Sequence, residues 1–182
     1  EKAVATADAV ILSDYRKGVL TPRIASVAIN AARERGIPVV VPAGSNGLKS
    51  KLPWPACLDG VISVGAVGSD RSPTSSSNTS PELTVLAPGR EVEVPSMRGS
   101  NTWGIDPEFL ELHYDNVPTA GTHIAAAHVT GAIALYKQKW PKASLYAITN
   151  ALKKSGVPVN DRAGRSKPFL RVDRMLKIDG RG

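Results

Sequence analysis

Residues 121–134 read Gly-Thr-His-Ile-Ala-Ala-Ala-His-Val-Thr-Gly-Ala-Ile-Ala. From 124 to 136 the run is apolar almost all round, interrupted chiefly by His128 and Thr130. A helix with that pattern is expected to be buried on every side. Ala and Gly dominate it, so neighbouring elements can approach closely. Pro118 and Gly121 mark its start, and Pro141 limits its end. The backbone N–H groups of the first turn have no partner within the helix, and His123 sits among them. The plainest reading of His123 is that it fills space. His123 and His128 are five apart and point to different faces, so no metal site is expected on this helix. No other cofactor is expected either.

Working outward, residues 8–13, Asp-Ala-Val-Ile-Leu-Ser, read as a buried strand, followed by the polar turn 14–18. Thr21-Pro22 announces a helix, Thr as cap and Pro at the first helical position. Ile24, Val27, Ala28, Ala31 and Ala32 form its expected apolar stripe, and Gly36 ends it. Further strands are expected near 37–42, 61–65 and 83–86. Ser144 caps a last helix with the stripe Leu145, Ile148, Ala151 and Leu152, closed by Gly156. Strand, helix, strand with short loops is a parallel unit. The expected fold is therefore α/β, a parallel sheet with helices on both faces, in one domain spanning 1–182. Helices 22–35 and 121–139 should lie on opposite faces, with 144–155 near the second. Residues 72–80, Ser-Pro-Thr-Ser-Ser-Ser-Asn-Thr-Ser, read as a loop that cannot build a core. Within it, Asn78-Thr79-Ser80 is a glycosylation acceptor pattern.

Four stretches, in order, carry a family resemblance. They are Val39–Gly47 (Val-Val-Val-Pro-Ala-Gly-Ser-Asn-Gly), Leu52–Asp70 with its Val-Ile-Ser-Val-Gly-Ala, Pro81–Gly89 (Pro-Glu-Leu-Thr-Val-Leu-Ala-Pro-Gly) and the stretch at 121. Together they resemble the subtilisin-like serine proteases, over roughly residues 38–178, or 7–178 with the first unit. The family's last motif is Gly-Thr-Ser-x-Ala-x-Pro-His-Val-x-Gly, and its Ser is the nucleophile. Here that slot holds His123, and Ala127 replaces the Pro, while His128, Val129 and Gly131 fit. The resemblance also implies an Asn that donates to the oxyanion. By position its slot is Ser45, with Asn46 one place late; a Gly-rich turn without chemistry reads equally well there. Ala43 and Gly44 belong to the same candidate cleft. So do Ser13, Asp14 and Tyr15, which replace the family's Ser-Leu-Gly wall with bulky polar groups. The family's catalytic Asp and His lie upstream of the strand at 8–13, and neither segment occurs in these residues.

The expectation is a catalytically inactive subtilase-like scaffold, a truncated, chimeric or designed version of a serine endopeptidase. The alternatives are a peptide-binding pseudoprotease, an endopeptidase fragment needing an upstream segment, and a kinase-like phosphate binder. The last rests on Ala7–Val41, which is similar to a segment of ribokinase-type sugar kinases. Thr119-Ala120-Gly121-Thr122 echoes the anion hole of those kinases but lacks an Asp base. His113 and Asp115 lie close enough in sequence to form a dyad, but no nucleophile accompanies them.

Bulk properties add bounds. The chain has 182 residues, 42% hydrophobic and 21% charged, ordinary for a globular protein. No run of 18 apolar residues occurs, so no membrane span is expected. The first residue is Glu1, without initiator Met or signal peptide, which reads as a processed or engineered piece. Cys57 is the single cysteine, which excludes an internal disulfide and leaves the compartment open. The net charge is +7, and residues 137–182 hold twelve Lys/Arg against three Asp. Few aromatic residues accompany those cations, so a solvated basic face is expected rather than a nucleic-acid partner. An apolar strand at 8–13 without its upstream neighbours should pair with another chain, either by self-association or with a partner strand.

Overall fold

The computed structural model describes residues 10–11, 21–97 and 114–181. Strand β1 (Val10–Ile11) precedes helix α1 (Pro22–Glu34). The Thr21 hydroxyl accepts from Ile24 N–H at 3.3 Å, the cap its sequence announced. Then come β2 (Val39–Pro42), β3 (Val61–Val67) and β4 (Val85–Pro88). An antiparallel pair, β5 (Val92–Met97) with β6 (Tyr114–Thr119), forms a separate two-stranded sheet. Helices α2 (Thr122–Lys139) and α3 (Leu145–Ser155) follow, the latter capped by Ser144, whose hydroxyl accepts from Ala147 N–H at 3.1 Å. The hairpin β7 (Val157–Asn160) and β8 (Ser166–Phe169) leads to the short α4 (Val172–Met175).

The main sheet has the order β1-β2-β3-β4-β8-β7. Strands β1 to β4 run parallel, in a register that sets Val39 against Val61 and Val64 against Val85. Strand β8 joins β4 in parallel through Leu86 and Phe169, and β7 runs antiparallel to β8. This is the expected α/β architecture, with strands where the apolar runs placed them.

The two faces of the sheet carry two cores. On one, Ile62, Val64 and Ala66 of β3 with Val85 and Ala87 of β4 pack against α2, α3 and Met175 of α4. On the other, Val39, Val41, Val67 and Leu86 pack against Ala25, Ile29 and Ala32 of α1. Strict alternation along β3 and β4 assigns successive side chains to opposite cores.

Two expectations about helix faces need correction. The stripe of α1 is Ala25, Ile29 and Ala32, whereas Ile24 is 52% and Val27 37% exposed. Ala side chains at the contact let the helix lie close to the sheet, and this turns the larger Ile24 and Val27 outward. Helix α2 is not buried on every side. Ala125, Val129, Ala132, Ile133 and Tyr136 face the sheet, but Ala127, His128, Gly131, Ala134 and Leu135 are exposed. The outer face is mostly Ala and Gly, which lose little by being wet, so apolarity all round overstated its need for cover.

Candidate functional site: the strand ends and the start of helix α2

The loop after β2 turns sharply at Gly44. Ala43 N–H first extends the parallel ladder by donating to Val64 C=O at 2.8 Å. Gly44 then adopts φ +88°, and a Cβ there would lie 2.6 Å from Asn78 Nδ2. Left-handed geometry and close approach both demand glycine. Gly44 N–H donates to the buried Thr122 Oγ1 at 3.1 Å. That bond joins the loop to the first turn of α2, 78 residues later in the chain.

A second link comes from the end of β4. Gly89 N–H donates to Val67 C=O at 2.9 Å, and Gly121 N–H donates to Gly89 C=O at 2.8 Å. A Cβ on Gly89 would meet Ala66 Cβ at 2.7 Å and Gly121 C=O at 2.8 Å, so only glycine lets these segments touch. The carboxyl ends of β2, β3 and β4 thus converge on the N-terminus of α2, the edge where open parallel sheets bind ligands.

His123 sits exposed in that first turn. Its ring folds back over Gly121, so it does not fill interior space. Ser45 and Asn46 are exposed on the facing loop, and among the described residues neither side chain has a hydrogen-bond partner. Ala43 is fully buried, and it contributes its carbonyl to the loop's fastening rather than a side chain to a cleft. Ser13, Asp14, Tyr15 and His113 lie outside the described residues, and Asp115 is in β6. Among the described residues no group of three or more His, Cys, Asp or Glu is placed to hold a metal. No helix there is long and apolar enough to cross a membrane.

The polar segment 72–80 was expected to contribute no core. It is instead the back wall of the site, with Thr74, Ser77, Asn78, Thr79 and Ser80 all buried. Asn78 Oδ1 accepts from Asn46 N–H at 3.0 Å and Leu48 N–H at 2.8 Å. Its Nδ2 donates to Ala43 C=O at 2.9 Å, and its backbone N–H donates to Gly44 C=O at 2.9 Å. One amide therefore closes the whole loop from 43 to 48. This also overturns the glycosylation reading, because Asn78 is fully buried and its Nδ2 is engaged. Short Ser, Thr and Asn side chains are suited to bonding nearby backbone, and that was the available signal. Counting polarity alone missed it.

Behind Asn78 the β7–β8 hairpin adds a buried carboxylate. The Asp161 side chain is 1% exposed and accepts from the Thr79 hydroxyl, from Ala163 N–H at 2.8 Å and from Arg165 N–H at 2.9 Å. Arg165 Nε meets it at 3.1 Å, and Arg165 Nη2 donates onward to Lys49 C=O. Burial pushes the Asp161 pKa up, but the Thr79 hydroxyl, the two backbone N–H groups and the guanidinium outweigh it, and the net shift is downward. Lys167 Nζ, on β8, donates to Pro81 C=O at 2.6 Å, and burial lowers its pKa.

The profile described as the subtilase family matches residues 12–170. The chain belongs to the subtilase family. It is 35% identical to subtilisin DY of Bacillus licheniformis over 149 residues, which is 80% of this chain and 49% of that protein. It is 32% identical to fervidolysin of Fervidobacterium pennivorans over 145 residues, 73% of this chain and 20% of that protein. A solved protease from Pseudoalteromonas arctica superposes with a TM-score of 0.77 at 26% identity, covering 94% of this chain and 51% of the other. A cold-adapted subtilisin-like serine proteinase shares the fold with a TM-score of 0.66. This subtilase therefore spans about half the length of subtilisin DY. Its four motifs are those that meet at the strand ends and the start of α2.

Proposed function

We propose that this chain is a catalytically inactive subtilase scaffold that keeps the loop-to-helix cleft without the nucleophile. The observation that carries this reading is the Gly44–Thr122 hydrogen bond. It holds the loop carrying Ser45 and Asn46 against the turn carrying His123, the position where the family motif has serine. An imidazole there offers no hydroxyl for an acyl-enzyme. A serine hydroxyl would in turn need an adjacent base to accept its proton. His128 does not supply one, because its Nδ1 lies 3.1 Å from Ile124 C=O and it stands five residues along the helix. Removing the serine–histidine pair of subtilisin costs on the order of 10⁶ in turnover. Restoring serine alone therefore leaves the hydroxyl without a base among the described residues. The expected result is that His123→Ser gains no labelling by a fluorophosphonate probe and no cleavage of a chromogenic peptide. Labelling at residue 123 above the unsubstituted protein would sink the proposal.

A second reading, the fragment of an endopeptidase that needs an upstream segment, is favoured by the place of β1 at the edge of the sheet among the described residues. On that reading β1 pairs with a partner strand or with a second copy. Light scattering from micromolar to millimolar protein should then show a growing mass; a constant monomer mass would count against it. The subtilase profile runs through the first unit from residue 12, which supports a subtilase parent for that unit over a kinase-derived one.

A further inference from the structure

Helix α2 has 18 residues, so it is about 27 Å long and its far end at Lys139 lies about 24 Å from His123. There it stops at Trp140 before Pro141, and α3 starts after Ser144. Between these turns and the C-terminal residues lies a groove of about 480 Å³, lined by Trp140, Lys142, Ser144, Gly180 and Arg181 among others. Gly180 lies so close to the Trp140 ring that a Cβ would sit 2.6 Å from it. We infer that this groove binds an acidic peptide segment, with a carboxylate at Lys142 beside the first turn of α3 and an apolar side chain along Trp140.

The chemistry of the lining supports this occupant. Lys139 Nζ and Arg181 Cζ stand 5.6 Å and 5.5 Å from the Trp140 ring centroid, so the ring is flanked by two cations. Trp140 Nε1–H is buried and has no acceptor among the described residues. Lys142 is exposed and has no acidic partner among the described residues. Ser144 begins a helix whose first turn contains no acidic residue, which leaves the positive end of α3 unneutralised. The aromatic Tyr146 stands 75% exposed in that turn. Nucleic acid fits less well. Lys139 is held by Leu176 C=O and Arg181 by Asp179, which leaves too few free cations for a phosphate track. A short carboxylate-bearing segment needs only one, and Lys142 supplies it.

The test uses an acetylated, amidated Glu-Asp-Phe-Asp-Glu peptide, titrated by calorimetry and by the indole N–H resonance of Trp140. The expected result is saturable binding that moves this resonance and weakens with salt. Lys142→Glu should weaken it about tenfold, because it sets like charges together. A Lys-for-Glu peptide should recover binding to that variant. Lys142 is a surface residue, so the substitution leaves folding intact. Absence of saturable binding, equal binding of the Gln/Asn peptide, or tighter binding of a single-stranded oligonucleotide would each overturn the inference. None of these outcomes bears on His123, so the reading of the cleft is tested separately.

Discussion

Replacing Asn78 with Ala is expected to destabilise the fold by about 3–5 kcal/mol, from the loss of three side-chain hydrogen bonds around a buried loop. Each orphaned buried group costs about 1–3 kcal/mol. The N–H groups of Asn46 and Leu48 can recover some water at the loop's outer side, and this keeps the total below the simple sum. Ala43 C=O has no such route, since Ala43 is fully buried. Urea unfolding would show the change as a lower midpoint with an unaltered slope. A loss below about 1 kcal/mol would mean that the loop keeps its shape without the amide. Asn78→Asp sharpens the test. It keeps the acceptor for both N–H groups but turns an anionic oxygen toward Ala43 C=O, so it should not rescue the fold.

The next largest effect is expected at Asp161. Asp161→Ala leaves the Thr79 hydroxyl, two N–H groups and a guanidinium without their common acceptor. Breaking a buried pair costs about 3–5 kcal/mol, and the partly exposed Arg165 brings this toward the lower figure. The sign of the pH dependence follows from the lowered pKa. In the unfolded chain Asp161 titrates near its ordinary 3.8, and in the folded chain it titrates below that. Its contribution is thus fully present above the unfolded value and drains away as the pH falls through the folded one. The stability gap between the native protein and Asp161→Asn should be constant at neutral pH and narrow in acid. A gap that stays constant down to the acid limit would show that the carboxylate is not held ionised by the fold.

Which parts of this molecule could be read from sequence follows from how each is built. Strands β2, β3 and β4 are buried on both faces, so they appear as continuous Val, Ile and Ala runs between Gly and Pro. Helix starts were legible because Thr21-Pro22 and Ser144 are local signals that act within one turn. Helix phase was not, because Ala can face either way at little cost and α1 is half Ala around its contact. The hairpin β7–β8 was missed for a related reason. Its strands are four residues long, and Pro158 pairs with Pro168, a residue type that argues against strands except at sheet edges. The site shows the same division. The glycines at 44, 89 and 121 and the His123 slot stand in contiguous motifs. Asn78 fastens its loop across 30 or more residues, and Asp161 reaches Thr79, 82 residues away, through side-chain bonds that leave no periodicity to read.

Strand β3 has seven residues, and its alternate side chains belong to different cores, Val64 and Ala66 to one and Val67 to the other. Neither helical layer can detach without stripping half of the same strand of its cover. The two layers are therefore thermodynamically coupled through a single element, and loosening of α1 and of α2 should occur in one cooperative transition rather than as separate events. A substitution on one side of β3 then weakens the other side as well, without any contact between the two helices.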